Sequence, residues 1–280
     1  MDHTNHWYGH AHILAEYCGF DPADPPPIRG VIQHGWTFVH GLGYGHINDR
    51  SFTKLVWNDR CRRRGQVIGW RDFAVIGAPF NYLVDLKKEE APQVEPKGTI
   101  FYPFHGTVDY ETVAGRHDEL IEHVRSVETG PVTACLYYVE YDDPEIRKHY
   151  EDAGFRVITH GRRGNQWKGT DRLFLHRQLA ELKRHRRIIS NRLTTAVFYG
   201  ASVGLDAGVY GDPMQFVGGK PGFDGTHLLD ALYPEMVGEH LDMDAVRETT
   251  RLELGTDYLL SPDELRYTLG WDEPWLESSN

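Results

Sequence analysis

The chain is poor in cysteine: only Cys18, Cys61 and Cys135 occur in 280 residues, far apart and odd in number. No C-x-x-C pair is present, so neither a disulfide framework nor a thiolate zinc site is expected. Long apolar runs are missing too. The longest, Val132–Val139, falls well short of the roughly 20 residues a membrane helix needs. The opening MDHTNHWYGHAH has neither the basic nor the apolar region of a secretory signal. Basic charge is outweighed: 30 Lys and Arg against 41 Asp and Glu leave a formal charge of −11. That balance argues against a global affinity for nucleic acid or anionic lipid, while a local basic face could still hold a phosphate. No G-x-S-x-G elbow, G-x-x-x-x-G-K-[ST] loop or EF-hand loop occurs. A cytoplasmic protein is the expectation.

What is there suffices for a real core, with 40% hydrophobic and 12% aromatic residues. Short β-branched runs alternate with amphipathic stretches, the pattern of parallel sheets with crossover helices. It predicts an α/β fold with strands at Arg29–Gln33, Lys54–Trp57, Phe73–Ile76, Thr99–Tyr102, Val132–Val139, Arg156–Thr159, Ile188–Ser190 and Ala207–Tyr210. Helices are expected at His6–Tyr17, Phe80–Leu86, Tyr110–Glu128, Pro144–Ala153, Asp171–Arg186 and Thr194–Val203. In Pro144–Ala153, Asp143 can cap the start and Gly154 follows the end. In Asp171–Arg186, Leu175, Leu179 and Leu182 form one buried stripe. The charged, proline-bearing Lys87–Lys97 reads as a linker, and three helical segments follow a Gly-rich stretch at Val217–Gly225. Two α/β lobes and a helical tail result: residues 1–90, 91–215 and 216–280.

Ligands of doubly wound sheets bind beyond the carboxyl ends of the strands, where helix N-termini present N–H groups. The residues at these ends are polar: Gln33-His34-Gly35-Trp36, Phe104-His105-Gly106-Thr107, His160-Gly161-Arg162-Arg163-Gly164-Asn165, and Ser190-Asn191-Arg192-Leu193-Thr194-Thr195. A neutral His can be a base near pH 7, and Arg offers a fork for phosphate. The last segment opens a helix whose small residues Ala196, Gly200, Ala201 and Ser202 allow close packing on a sheet. Ordinary loop tips, and capping by Ser190, Asn191 or Thr194, would account for the same residues.

The run SNRLTTAVFYGASVGLDAGVYGDP resembles the C-terminal-lobe element of GT-B glycosyltransferases that build surface polysaccharide or teichoic acid. IRGVIQHGW is similar to the Gln-His-Gly segment of their N-terminal lobe. FAVIGAPFNYL resembles the strand and Gly-x-Pro that close that lobe, and GTIFYPFHGT the first strand and loop of the second. The resemblance spans about Gly30 to Pro213 and implies two Rossmann-like lobes, the first on the acceptor side and the second on the nucleotide-sugar side. It implies metal-independent transfer of a sugar from a nucleotide-activated donor to a hydroxyl acceptor, in polysaccharide or glycosylated-metabolite biosynthesis, with no cofactor. His34 would be the base. His105, Arg162 and Arg163 would face the donor phosphates from the second lobe, and Ser190, Asn191, Thr194 and Thr195 would hold the diphosphate. Gln33, Trp36, His160 and Asp212 are further candidates for substrate contact. Two other classes fit: a GT-B-like nucleotide- or sugar-binding protein without activity, and a sugar-nucleotide epimerase or hydrolase. Neither nucleic acid nor integral membrane contact is expected; peripheral membrane association and oligomeric state stay open.

His3, His6, His10 and His12 crowd the N-terminus, two pairs at helix-face spacing, but no H-E-x-x-H accompanies them, and no metal site is expected. The basic residues of Arg172–Arg187 read as a solvated helix face and Cys61–Arg64 as a basic turn or helix end. Gly41-Leu42-Gly43-Tyr44-Gly45 reads as a loop, a candidate lid over the cleft.

Overall fold

Every one of the eight expected strands forms, and two more join them among the described residues. The computed structural model describes residues 2–42, 51–91, 94–106, 112–163, 171–217 and 226–272. Residues 43–45 of the expected lid, Thr107, Gly164, Asn165 and most of the Gly-rich stretch lie outside them. The chain divides into two units. The first comprises Met1–Ala91, Arg162–Arg177 and Thr249–Asn280, the second Pro92–Gly161 and Gln178–Glu248. Compared with the expected segments, the chain changes unit twice more: residues 162–177 join the first unit, and the tail is shared, only its end from Thr249 belonging there.

In the first unit, β1 (Val31–Ile32), β2 (Lys54–Val56) and β3 (Phe73–Val75) form a parallel sheet in sequence order. Helices α1 (His10–Tyr17) and α3 (Pro79–Leu86) pack together, and Ile13, Leu14, Leu55, Val56, Trp57, Phe80 and Leu83 are fully buried. Between β2 and β3 lies α2 (Asp59–Val67), where a basic turn or helix end was expected at Cys61–Arg64. Asn58 caps it, its side chain accepting the Cys61 N–H at 2.8 Å. Asp59 pairs with Arg62 and Arg63 one turn on, so these cations belong to the helix surface. The closing helix α11 (Pro262–Leu269) opens on a capping box between Ser261 and Glu264.

In the second unit, β4 (Thr99–Tyr102), β6 (Val132–Cys135), β7 (Arg156–Ile158), β8 (Arg187–Ser190) and β9 (Asp206–Val209) form one parallel sheet ordered β7-β6-β4-β8-β9. The chain winds outward from β4 to one side, then returns to start β8 on the other. This is the doubly wound Rossmann-like order, with its switch point between β4 and β8. The helices are α4 (His117–Val127), α6 (Pro144–Asp152), α7 (Phe174–Leu182), α8 (Thr195–Ser202), α9 (Thr226–Leu232) and α10 (Met243–Glu253), with the unit division falling inside α7 and α10. The leucine stripe of α7 is buried. Asp143 caps α6 by accepting the Glu145 N–H at 2.9 Å. Small residues let α8 approach the sheet: a Cβ on Gly200 would lie 2.6 Å from Ile188. At the opposite end, buried Glu128 takes hydrogen bonds from Thr99 (2.6 Å), Arg187 (2.8 Å) and Tyr210 (2.9 Å).

Three expected elements change: the helix expected from His6 runs as an α-helix only from His10, after a break at Trp7 and Tyr8. The strand expected at Val132–Val139 stops at Cys135, and Tyr138–Asp142 is a short helix, α5. Its Glu140 carboxylate accepts the Gly106 N–H at 3.0 Å, a tie the local pattern does not contain. The helix expected from Tyr110 begins only at His117. Thr112–Ala114 is a strand, β5, antiparallel to β10 (Gln215–Val217), so β-branched Thr112 and Val113 serve a partner about a hundred residues away.

Candidate functional site

The carboxyl edge of the second sheet gathers the tips of β4, β7 and β8, three of the four polar segments. At the switch point, Asn191 binds both neighbouring loops. Its Oδ1 accepts the Phe104 N–H at 2.7 Å and its Nδ2 donates to the Asp212 carbonyl at 2.7 Å. Ser190, 1% exposed, donates its hydroxyl to the Tyr102 carbonyl at 2.7 Å. Both side chains therefore turn inward and shape the edge. Asp212 is exposed; its Oδ1 accepts the Met214 N–H at 2.8 Å.

Arg192 had been read only as part of the loop. It is buried, with its guanidinium 3.9 Å over the Phe104 ring and hydrogen-bonded to the carbonyls of Pro213 and Met214. An arginine flanked by Asn and Leu at a strand end gives no local sign of that burial. Next comes α8. Thr194 is its N-cap residue in extended conformation, yet its side chain makes no capping bond, and its Oγ1 is buried with no hydrogen-bond partner. Thr195 follows as the first helical residue. The opening N–H groups of a helix have no partner within it, and the dipole there favours an anion.

His105, half-buried, stacks on Tyr137 with ring centroids 4.2 Å apart, and its Nδ1 lies 3.0 Å from the Gly106 carbonyl. A carbonyl only accepts, so Nδ1 carries the proton. His160 is different: 4% exposed, its Nε2 lies 2.8 Å from the Tyr102 hydroxyl, inside the fold. Burial holds that hydroxyl well above its ordinary pKa, so the phenol stays protonated.

In the first unit, Gln33 is fully buried and spans its own sheet edge, donating to the Gly35 carbonyl and accepting the Trp57 N–H, both at 2.9 Å. Trp36 donates Nε1 to Glu253 at 3.0 Å, a buried carboxylate that also pairs with Arg60. His34 lies beside Tyr8, whose hydroxyl is 3.4 Å from its Nε2, and Trp7, whose ring is edge-on at 4.2 Å. Arg162 is exposed and Arg163 half-buried. The expectation that they project from the second lobe is corrected: the chain leaves that unit after Gly161, and the Arg163 carbonyl accepts the Tyr8 N–H at 3.0 Å.

Burial pushes the thiols of Cys18 and Cys61 up to about 12 and that of Cys135 higher still, so none is a thiolate near pH 7. Among the described residues no group of three or more His, Cys, Asp or Glu could hold a metal ion. His6 and His12 do meet, Nδ1 to Nε2 at 3.3 Å, but His12 spends its other nitrogen on the Pro22 carbonyl at 2.7 Å. No helix among the described residues is long and apolar enough to cross a membrane.

No protein-family model and no curated protein matches the chain. Among solved structures it is similar to Os79 from O. sativa, in complex with UDP and deoxynivalenol-3-glucoside, at 13% identity and TM-score 0.34, covering 81% of this chain and 51% of that one. It is similar to the UDP-GlcNAc 2-epimerase from Neisseria meningitidis bound to UDP-GlcNAc at 13% identity and TM-score 0.39, covering 95% and 80%. The wall teichoic acid polymerase TagF gives 12% identity and TM-score 0.38, covering 88% and 64%. The chain thus spans about half the length of Os79. Likenesses of this size do not assign an activity.

Proposed function

We propose that the chain is a nucleotide-sugar-dependent glycosyltransferase of GT-B type, moving a sugar to a hydroxyl acceptor without a metal. The observation that carries this reading is the opening of α8: a helix N-terminus at the sheet's switch point, headed by a buried threonine hydroxyl that makes no bond in the protein. A diphosphate matches that chemistry, since it brings acceptor oxygens and negative charge to unspent donors. The GT-B-like motifs in IRGVIQHGW and SNRLTTAVFYGASVGLDAGVYGDP support the same reading.

In the reaction, the bond from the sugar anomeric carbon to the diphosphate oxygen breaks, and its electron pair leaves with the nucleoside diphosphate. The acceptor oxygen forms the new bond and gives up its proton. In the second unit, the α8 N–H groups and the hydroxyls of Thr194 and Thr195 stabilise the charge growing on the leaving group. His105, at the tip of β4 in the same unit, is assigned to the donor phosphates as well. His34, in the first unit, takes the acceptor proton. Ser190, Asn191 and Arg192 hold the loops around this helix start.

A thermal-shift panel of UDP-, GDP-, CMP-, CDP- and dTDP-sugars tests the reading, because a ligand that binds the folded state raises its melting temperature. Stabilisation, followed by nucleotide release only when a hydroxyl acceptor is added, is the expected result. Isomerised donor sugar without acceptor would identify an epimerase. Stabilisation without turnover would identify a binding protein, and no stabilisation by any donor would overturn the proposal.

A further inference from the structure

The chain pays for an unusual turn near its start. Helical backbone over Asp2–Gly9 is interrupted at Trp7 (φ −56°, ψ 137°) and Tyr8 (φ 57°, ψ 5°), and Gly9 follows at φ 84°. A left-handed conformation is unfavourable for a residue with a side chain and persists only where the surroundings enforce it. Here they do. The Tyr8 N–H is held by the Arg163 carbonyl, and Gly9 presses so closely on Arg172 that a Cβ would lie 2.4 Å from its carbonyl oxygen.

What the turn achieves is a convergence that a helix forbids. Successive helical residues point about 100° apart, so neighbours do not face one target. Yet Trp7 and Tyr8 both reach the His34 ring. Trp7 meets it at 4.2 Å and 82°, and Tyr8 at 5.1 Å and 48°, with the phenol oxygen 3.4 Å from Nε2. Phe174 backs the Tyr8 ring, edge-on at 5.0 Å, so the phenol is itself fixed.

We propose that Tyr8 is a positioning residue for His34: the strained Trp7-Tyr8-Gly9 turn aims its hydroxyl at Nε2 and holds the neutral ring in one orientation and one tautomer. A phenol both donates and accepts, so the same hydroxyl can hold the ring after Nε2 has gained a proton. Trp7, packed edge-on, limits rotation of the ring. The positioning stands on this geometry alone; its use in moving an acceptor proton rests on the transferase reading.

Nitrogen-15 NMR of the full chain above pH 7.5, with His34 assigned by comparison with His34→Gln, reads the tautomer directly and needs no substrate. The expected result is one dominant neutral form, which becomes a mixture in Tyr8→Phe. That variant keeps the ring and its packing. Should it fail to fold, Phe174→Leu, which loosens the phenol from behind, is expected to shift the same signals. A mixture in the unaltered protein, or signals unchanged in every folded variant, would overturn the proposal. In turnover assays Tyr8→Phe is expected to lower kcat about 10–100-fold with donor KM unchanged, the cost of a misplaced base. A tautomer change in a chain that transfers no sugar would uphold the positioning while sinking the transferase reading.

Discussion

The side-chain oxygen of Asn191 accepts the backbone N–H of Phe104 at 2.7 Å, joining the tip of β8 to the tip of β4 across the switch point of the sheet. The other end of the same amide holds the Asp212 carbonyl, so one side chain fixes three loops. Asn191→Asp keeps the acceptor but turns the donor into a carboxylate oxygen facing a carbonyl. It is expected to cost about 1–3 kcal/mol, the penalty for a buried polar group left without its partner. Asn191→Ala loses both bonds and falls in the same range. Urea denaturation at pH 7.5 measures both, and a change under 0.5 kcal/mol in each would show that the loops hold without the amide.

Thr194 allows stability and binding to be separated. Its hydroxyl oxygen is buried and makes no hydrogen bond, and it does not cap α8. Thr194→Val replaces that hydroxyl with a methyl of the same shape. Melting temperature should stay level or rise. Nucleotide-sugar affinity, by calorimetry, should fall about tenfold or more, since a hydrogen bond to a charged group is worth roughly 1.5–3 kcal/mol. Unchanged affinity beside an unchanged fold would remove Thr194 from the diphosphate site.

These two residues also mark how far the sequence could be read. The strand Thr99–Tyr102 has the extent the sequence predicts and the helix after Asp143 ends one residue short of it, because a β-branched run, a cap and a trailing glycine are local signals. Placing Asn191 at a strand end was equally local. Whether its amide faces outward or ties two loops depends on Phe104 and Asp212, 87 and 21 residues away, and no window contains that. The same limit hid β5, whose partner β10 lies across the whole second unit. Ser190 and Gln33 illustrate it again: both follow strands and both are polar. Their bonds, though, go to the Tyr102 and Gly35 carbonyls and the Trp57 N–H, whereas Thr194, at the start of α8, keeps a hydroxyl with capacity to spare.

Gly9 should be intolerant where Gly19 is not. Both have left-handed backbone, at φ 84° and 82°. A Cβ on Gly9 would collide with the Arg172 carbonyl at 2.4 Å, whereas nothing lies within 4 Å of one on Gly19. Gly19→Ala therefore bears only the backbone term, about 1–2 kcal/mol. Gly9→Ala adds a backbone clash that no side-chain rotation relieves, and is expected to cost at least about 2 kcal/mol more. Paired denaturation curves test the difference, and equal losses would mean that the segment carrying Arg172 gives way.

Acid should destabilise the first unit through His10. It is 1% exposed, neither ring nitrogen has a hydrogen-bond partner, and burial lowers its pKa from 6.5 to about 3. The folded pKa lies below the unfolded one, so the stabilising difference is whole above pH 6.5. It is lost as pH falls toward 3, where the unfolded chain binds a proton that the folded one refuses. Well inside that window the slope approaches 1.4 kcal/mol per pH unit for this residue. His185 in the second unit, lowered by burial to about 4, acts in the same direction. His10→Leu removes a ring whose polar atoms are unsatisfied and leaves nothing to protonate. Between pH 6.5 and 4.5 its stability should fall less steeply than that of the unaltered chain, by as much as about 2–3 kcal/mol over the interval. Urea midpoints at the two pH values decide it: parallel losses in both proteins would place the acid sensitivity elsewhere.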